Sequence, residues 1–363
     1  MTTDRLFEIG LFTFGEITAD PATGRPLDPA TRLREFIDLA VLADQAGLDV
    51  FGVGEHHRPD FAISAPEVVL AAVAGRTERI RLGTAVTILS TDDPVRVYQR
   101  FATLDAVSGG RAEVILGRGS FTESFPLFGY SLDDYDDLFE QKLAIFAALR
   151  EADRTGEPVH WKGTVRPPLE GVRLYPPVER PPLSTWVGVG GSPESVVRAA
   201  RYRLPLTLAI IGGDPRRFAP YVELYHRALA QLGSPSLPVG VHSPGHIAET
   251  DAQAREDLWL PYQAMRNRIG AERGWSPTSR AEYEREIETG SLYVGSPETV
   301  ARKIAATVRA VGASRFDLKY SSGTLPHELM LRSIELYGRE VMPRVRRLLG
   351  EIAPSGAPSS RLA

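Results

Sequence analysis

Short β-branched or apolar runs alternate with longer stretches of helical periodicity along almost the whole chain, and this alternation restricts the fold more than any other feature. Leu6 to Phe14 reads as a strand, and Leu33, Phe36, Ile37, Ala40 and Val41 then repeat at helical spacing until Gly47. Further strands are expected at Val50 to Val53, Ile80 to Ile88, Ala112 to Leu116, Ser184 to Val189, Leu206 to Ile211, Val239 to Ser243 and Phe316 to Lys319. Helical patterns follow them, at Pro66 to Arg76, Pro94 to Val107, Tyr135 to Ala152, Pro193 to Tyr202, Pro215 to Leu232, Asp251 to Ile269 with Pro297 to Val311, and Pro326 to Leu349. Eight strands that each lead into a helix imply a parallel α/β sheet with helices outside. They close most economically into a (β/α)8 TIM barrel, whose chemistry sits at the strand C-terminal ends. An open doubly wound sheet would carry G-x-G-x-x-G after its first strand, where this chain has Phe14-Gly15-Glu16.

Two segments break the alternation. Pro158 to Pro182 is proline-rich and reads as a short hairpin or ordered loop. Ala271 to Leu292 is polar and irregular, an inserted loop before the last βα unit with a helical turn or two around Arg280 to Ile287. Residues 1–350 then make one barrel domain, and 351–363, rich in Ser, Pro and Gly, an expected disordered tail.

Composition removes several function classes. The 363 residues accommodate a barrel of about 250 plus insertions. A balance of 42 Lys+Arg against 46 Asp+Glu leaves no electrostatic footprint for nucleic acid. The absence of cysteine excludes disulfides, thiolate zinc sites, cysteine-ligated iron–sulfur clusters and a cysteine nucleophile, and it fits a reducing cytoplasm. No leader-like segment precedes the first strand, and apolar runs such as Val68 to Ala74 fall short of the ~20 residues of a membrane span. A cytoplasmic protein without membrane or nucleic-acid partners is expected.

The strand ends are where functional residues should lie. Glu55-His56-His57 follows strand two, and because strand neighbours point to opposite faces, only one imidazole faces a pocket easily. That histidine is either a polar loop residue or a base or hydrogen-bond partner near neutral pH. His242 and His246 are four apart, but Pro244 and Gly245 between them argue against a helical zinc pair. Gly-Ser-Pro-Glu occurs at Gly191 to Glu194 and again at Gly295 to Glu298, each time before a helix. Ser296 reads as a cap. Gly190, Gly191, Ser192 and Ser195 read either as a cap or as open backbone and hydroxyls for a phosphate, although Glu194 already answers the helix dipole. Arg118, between two glycines after strand four, requires a carboxylate or an anionic ligand.

Taken together, Gly52 to His57, Gly83 to Arg96, Leu104 to Arg111 and Gly117-Arg118-Gly119 resemble the bacterial luciferase-like flavin-dependent monooxygenases. Tyr293 to Val300 and Leu325 to Leu329 extend the resemblance over most of the chain. The resemblance implies a barrel that uses FMN, received in reduced form from a separate NAD(P)H-dependent flavin reductase, and O2. A flavin C4a-peroxide then oxygenates a small organic substrate. It implies that His56 is the catalytic histidine and that Ala85 and Val86 form a bulge, often with a cis peptide, that props the flavin ring. It further implies that Arg118 contacts the flavin and that Ser192 and Ser195 lie on its phosphate side. The 271–292 segment would be the family's mobile loop, and the second and third helices a homodimer interface. Gly191 stands where light-emitting members carry glutamate, so an aldehyde substrate is not implied. Other readings are an F420-dependent oxidoreductase on the same fold, a flavin-binding protein without turnover, or a metal-dependent hydrolase built on His56, His57 and His242. Phe12, Phe14, Phe121, Phe125, Trp275 and Tyr320 are candidate pocket aromatics.

Overall fold

The computed structural model describes residues 7–17, 24–25 and 27–350. Eight barrel positions are filled in chain order by β1 (Glu8–Thr13), β2 (Val50–Val53), β3 (Arg81–Thr84, resuming at Thr87–Ile88), β4 (Glu113–Gly117), β5 (Ser184–Val189), β6 (Leu206–Ala209), β7 (Val239–Ile247) and β8 (Arg315–Lys319). Their pairings are all parallel, and β1 lies between β2 and β8. The ring closes between β3 and β4, where the Leu82 N–H donates to the Arg111 carbonyl at 2.9 Å. Arg111 secures that corner by donating to the carbonyls of Ala74, Thr77, Ile80 and Ser108. The expected α/β (β/α)8 barrel is the fold that forms.

The helices that flank the barrel strands pack on them through apolar stripes. Pro297–Val311 buries Val300, Ala301, Ile304, Ala305, Val308 and Val311, the spacing of a single helical face. Asp93 opens Pro94–Ser108 by accepting from the Val95 and Arg96 N–H groups, and Gly109 ends it at φ +67°.

The barrel interior is divided by height. Near the strand starts the buried Arg315 guanidinium reaches Glu113 at 2.5 Å and Asp317 at 2.8 Å. Gly10 leaves room for this cluster, since a Cβ there would meet Asp317 Oδ1 at 2.0 Å. Phe12, Val50, Ile115 and Trp186 form a small apolar cluster beside it, with Ala85 and Val86 packed on top.

Several local expectations change. The third strand is broken at the cis Ala85–Val86 peptide, and Thr84 bridges the gap with its side chain, accepting from the Ile115 N–H at 3.2 Å. β7 runs past Pro244 and Gly245 to Ile247, because its end pairs with an unforeseen strand, Tyr293–Gly295. The 271–292 segment is mostly helical rather than irregular. Helix Asp251–Arg273 overruns Ile269 until Gly274, and Ser279 with Glu282 opens Arg280–Glu288 through a reciprocal capping box. The proline-rich middle forms the hairpin Val159–Trp161 and Leu169–Val172. Leu6 and the tail 351–363 lie outside the described residues. Among the described residues no helix is long and apolar enough to cross a membrane.

Candidate active site

A cavity of about 400 Å³ opens at the C-terminal ends of the strands, within the size range of cofactor sites. His56, Ala85, Val86, Arg118, Gly190 and Ser195 line it together. Gly191 and Ser192, expected to touch a cofactor, do not line it. Ser192 caps helix Pro193–Arg201 by accepting from the Ser195 N–H at 3.2 Å, and its hydroxyl lies 3.0 Å from the Ser195 hydroxyl. Gly191 takes φ +100°, a turn that no side chain adopts readily. Both therefore shape the rim behind Ser195, whereas a Cβ on Gly190 would meet nothing within 4 Å.

At one end His56 sits in an aromatic box. Its ring stacks on Phe61 at 4.0 Å, with Phe14 at 5.3 Å and Phe121 edge-on at 5.8 Å. Burial pushes its pKa down to about 4, with the Glu16 carboxylate opposing and the Lys319 ammonium assisting. Nδ1 has no partner, so His56 is a neutral imidazole with a free hydrogen-bonding atom. His57 also borders the cavity, but its Nε2 lies 2.9 Å from Glu55. The second Glu55 oxygen accepts from the Ile88 N–H, tying the end of β2 to β3. Both imidazoles thus border the cavity, against the expectation that only one would, because the strand ends at Val53 and its alternation does not extend to them; they differ in freedom instead.

Phe121 roofs this end. Arg58 lies over its ring at 4.3 Å and Arg273 at 5.4 Å. Arg58 pairs with Asp60, Glu123 and Glu272, Arg268 pairs with Asp60, and Arg273 donates to the Ser120 carbonyl. Beneath, the buried Lys319 ammonium pairs with Glu16, whose other oxygen accepts from the Ser321 hydroxyl at 2.6 Å.

The floor is formed by Phe12, Val86, Ile115, Gly117, Gly188, Thr207 and His242. Val86 projects between the two glycines: a Cβ on Gly117 or Gly188 would stand 2.5 or 2.9 Å from its methyls. At the far end Arg118 holds Asp136 at 2.8 Å and covers the Tyr135 ring, which supplies the carboxylate its position required. Arg217 also reaches the cavity there, donating to the Gly212 carbonyl at 2.7 Å. Sequence reasoning missed Arg217, although the Gly212-Gly213-Asp214-Pro215 turn after β6 marked another strand end. It also placed His242 only among possible metal ligands. His242 faces the cavity, while His246 turns toward Asp257 at 3.4 Å, so the pair does not converge. Of the candidate aromatics, Phe12, Phe14 and Phe121 line the cavity, and Trp275 stacks with Arg273 at the roof.

This arrangement offers a neutral imidazole in a dry box, an apolar shelf and a rim rich in N–H and guanidinium groups. A planar ring with an anionic tail fits it: the orphaned His56 Nδ1, the Val86 shelf between two glycines, and the open Gly190 with Ser195 at a helix N-terminus answer ring and phosphate in turn.

The family model described as luciferase-like monooxygenase matches residues 7–315. The 4-hydroxyprotoasukamycin monooxygenase of Streptomyces nodosus subsp. asukaensis is 29% identical over 344 residues, 90% of this chain and 91% of that protein. The crystal structure of the monooxygenase RslO1 from Streptomyces bottropensis superposes with a TM-score of 0.79 at 24% identity, covering 93% of this chain and 99% of that one. The oxygenating constituent of 3,6-diketocamphane monooxygenase from Pseudomonas putida, solved with FMN, gives 0.77 at 19% identity over 93% and 98%.

Proposed function

The chain belongs to the luciferase-like monooxygenase family, and from that membership we propose that it is the oxygenating component of a two-component, FMN-dependent monooxygenase. A separate NAD(P)H-dependent reductase would supply reduced FMN, and the substrate would be a small organic molecule. One observation carries the reading: a single cavity joins an unpartnered, buried imidazole to a phosphate-receptive rim across the Val86 shelf. The Pseudomonas protein, solved with FMN on the same fold, supports the choice of flavin.

Bound reduced FMN supplies the electrons and the reaction with oxygen. The chain's own residues position, shield and hydrogen-bond. Ser195, the Gly190 backbone, Arg118 and Arg217 would hold the phosphate end. Ala85 and Val86 would support the ring from below. Phe14, Phe61 and Phe121 exclude water from around His56, which strengthens every polar contact made there. A pKa of about 4 leaves Nδ1 of His56 able to accept or donate as its tautomer dictates, without carrying a charge at neutral pH. Its role would be to hold or pass one proton to the oxygen that reacts beside it.

The test is a titration of the protein with FMN, reduced FMN and F420, followed by oxygen uptake with candidate substrates. Preferential binding of reduced FMN and substrate-dependent oxygen uptake are expected. Binding of F420 alone, with no oxygen consumed, would replace the proposal with the deazaflavin oxidoreductase.

A further inference from the structure

Two polar side chains at the cavity floor have no partner. His242 is buried in the barrel, and neither of its ring nitrogens meets a hydrogen-bonding group. Thr207, 5% exposed, has an orphaned hydroxyl. They come from adjacent strands, for Thr207 pairs in register with Gly240 and Ala209 with His242. Gly240 lets the two share one patch, since a Cβ there would press on the Thr207 hydroxyl at 3.1 Å. Phe12 and Phe14 pack against the His242 ring at 5.3 and 5.4 Å, fixing its plane. Buried polar atoms are normally satisfied, and one left bare is costly. Both side chains line the cavity, so a bound ligand is the candidate partner for the Thr207 hydroxyl and for one ring nitrogen of His242, the two nitrogens of an imidazole pointing away from each other.

The rest of the floor differs in kind. On the β3 to β5 side it consists of Val86, Ile115, Gly117 and Gly188, hydrocarbon or bare backbone. The floor is therefore polar on one flank and apolar on the other, and a planar guest with one hydrogen-bonding edge has a single favourable way to lie on it. A neutral imidazole offers one donor and one acceptor, and a hydroxyl offers one more of each. One ring nitrogen beside the hydroxyl matches two neighbouring groups of an imide edge, in which an N–H stands between two carbonyls.

We propose that His242 and Thr207 form the hydrogen-bonding seat for the imide edge of the bound flavin ring, and so set which way the ring lies in the cavity. This inference rests on the flavin reading of the same site. It makes His242 a ligand-orienting residue with a different task from His56, at the other side of Phe14.

The experiment compares binding of FMN and of 3-methyl-FMN, which lacks the imide N–H, to wild type and to His242→Phe, His242→Gln and Thr207→Val. Dissociation constants come from quenching of flavin fluorescence, and the position of the visible flavin band is recorded for each complex. Wild type should prefer FMN over the methylated analogue by about tenfold, the worth of one well-made hydrogen bond at a buried site. His242→Phe should lose that preference and shift the band, and His242→Gln, which keeps a donor and an acceptor, should restore both. Thr207→Val should weaken FMN binding severalfold, and it decides the matter independently if His242→Phe does not fold. Variants that bind FMN as wild type does, with the discrimination intact, would overturn this seat while leaving the flavin reading standing. Wild-type protein that takes up no flavin would overturn both.

Discussion

Val86 and Gly117 are matched across the cavity floor: a Cβ at Gly117 would stand 2.5 Å from a Val86 methyl, closer than real carbon atoms approach. Valine is stiff about χ1, so it cannot swing aside cheaply. Gly117→Ala should therefore cost about 1–3 kcal/mol in stability and lift Val86 into the space for the ring, weakening FMN binding. Val86→Ala in the same chain should recover much of both losses. A double-mutant cycle by chemical denaturation checks this, with a coupling of about 0.5–3 kcal/mol expected for residues in contact. Additive effects would show that the two do not press on one another.

His56 has its free nitrogen in a box of three aromatic rings and no role in holding the phosphate rim. His56→Gln is expected to reduce turnover by about 10²–10⁴, with FMN affinity nearly unchanged. Oxygen uptake with an accepted substrate and a parallel binding titration separate the two effects. Full turnover in the variant would remove His56 from the chemistry.

The two buried histidines make stability depend on pH in a defined direction. Burial pushes His56 down to about 4 and His242 to about 3, the latter helped by the Lys319 and Arg315 cations. An unfolded chain protonates the same imidazoles near pH 6.5, so between pH 6.5 and those values it binds more protons than the folded one. Stability is thus intact above pH 6.5 and falls as pH drops, by about 2 kcal/mol per imidazole at pH 5. Comparing urea denaturation of wild type with His56→Gln and His242→Gln at pH 7 and pH 5 isolates each share. Equal pH slopes in all three proteins would mean that the rings are not buried neutral.

Much of this fold was legible because the alternation of elements is regular and the caps are explicit, as at Asp93 and Gly109. What escaped was set by tertiary context. Tyr293–Gly295 is only three residues long and is a strand because β7 offers an edge to it. Arg280–Glu288 is strongly polar, so hydrophobic period alone concealed it, although Ser279 and Glu282 carried the capping signature. His56 stood out through its doubled imidazole, and Arg118 through its charge between glycines. Arg217 was signalled only by the glycine turn that precedes it, and Thr207 by nothing, for a threonine inside a strand is common and only the closure of the barrel decides which strand face lines the cavity.

The charged cluster near the strand starts should affect stability alone. Glu113 is wholly buried against Arg315 and also accepts from the Ser184 hydroxyl at 3.2 Å. Removing one charge from such a group leaves Arg315 with Asp317 alone, so Glu113→Gln should cost up to about 3–5 kcal/mol without changing the FMN dissociation constant. Urea denaturation and flavin titration on the same sample test both halves, and an altered dissociation constant would link the base of the barrel to its rim.

Phe121 lies over His56 beneath the Arg58 guanidinium, whose carboxylate partners Glu123 and Glu272 are 39% and 46% exposed, where dissolved ions compete directly for them. The roof is consequently fastened by attraction that brine weakens, while the aromatic walls beneath it are indifferent to brine. Raised ionic strength is therefore expected to loosen the roof above His56 while leaving the aromatic walls of the chamber as they are.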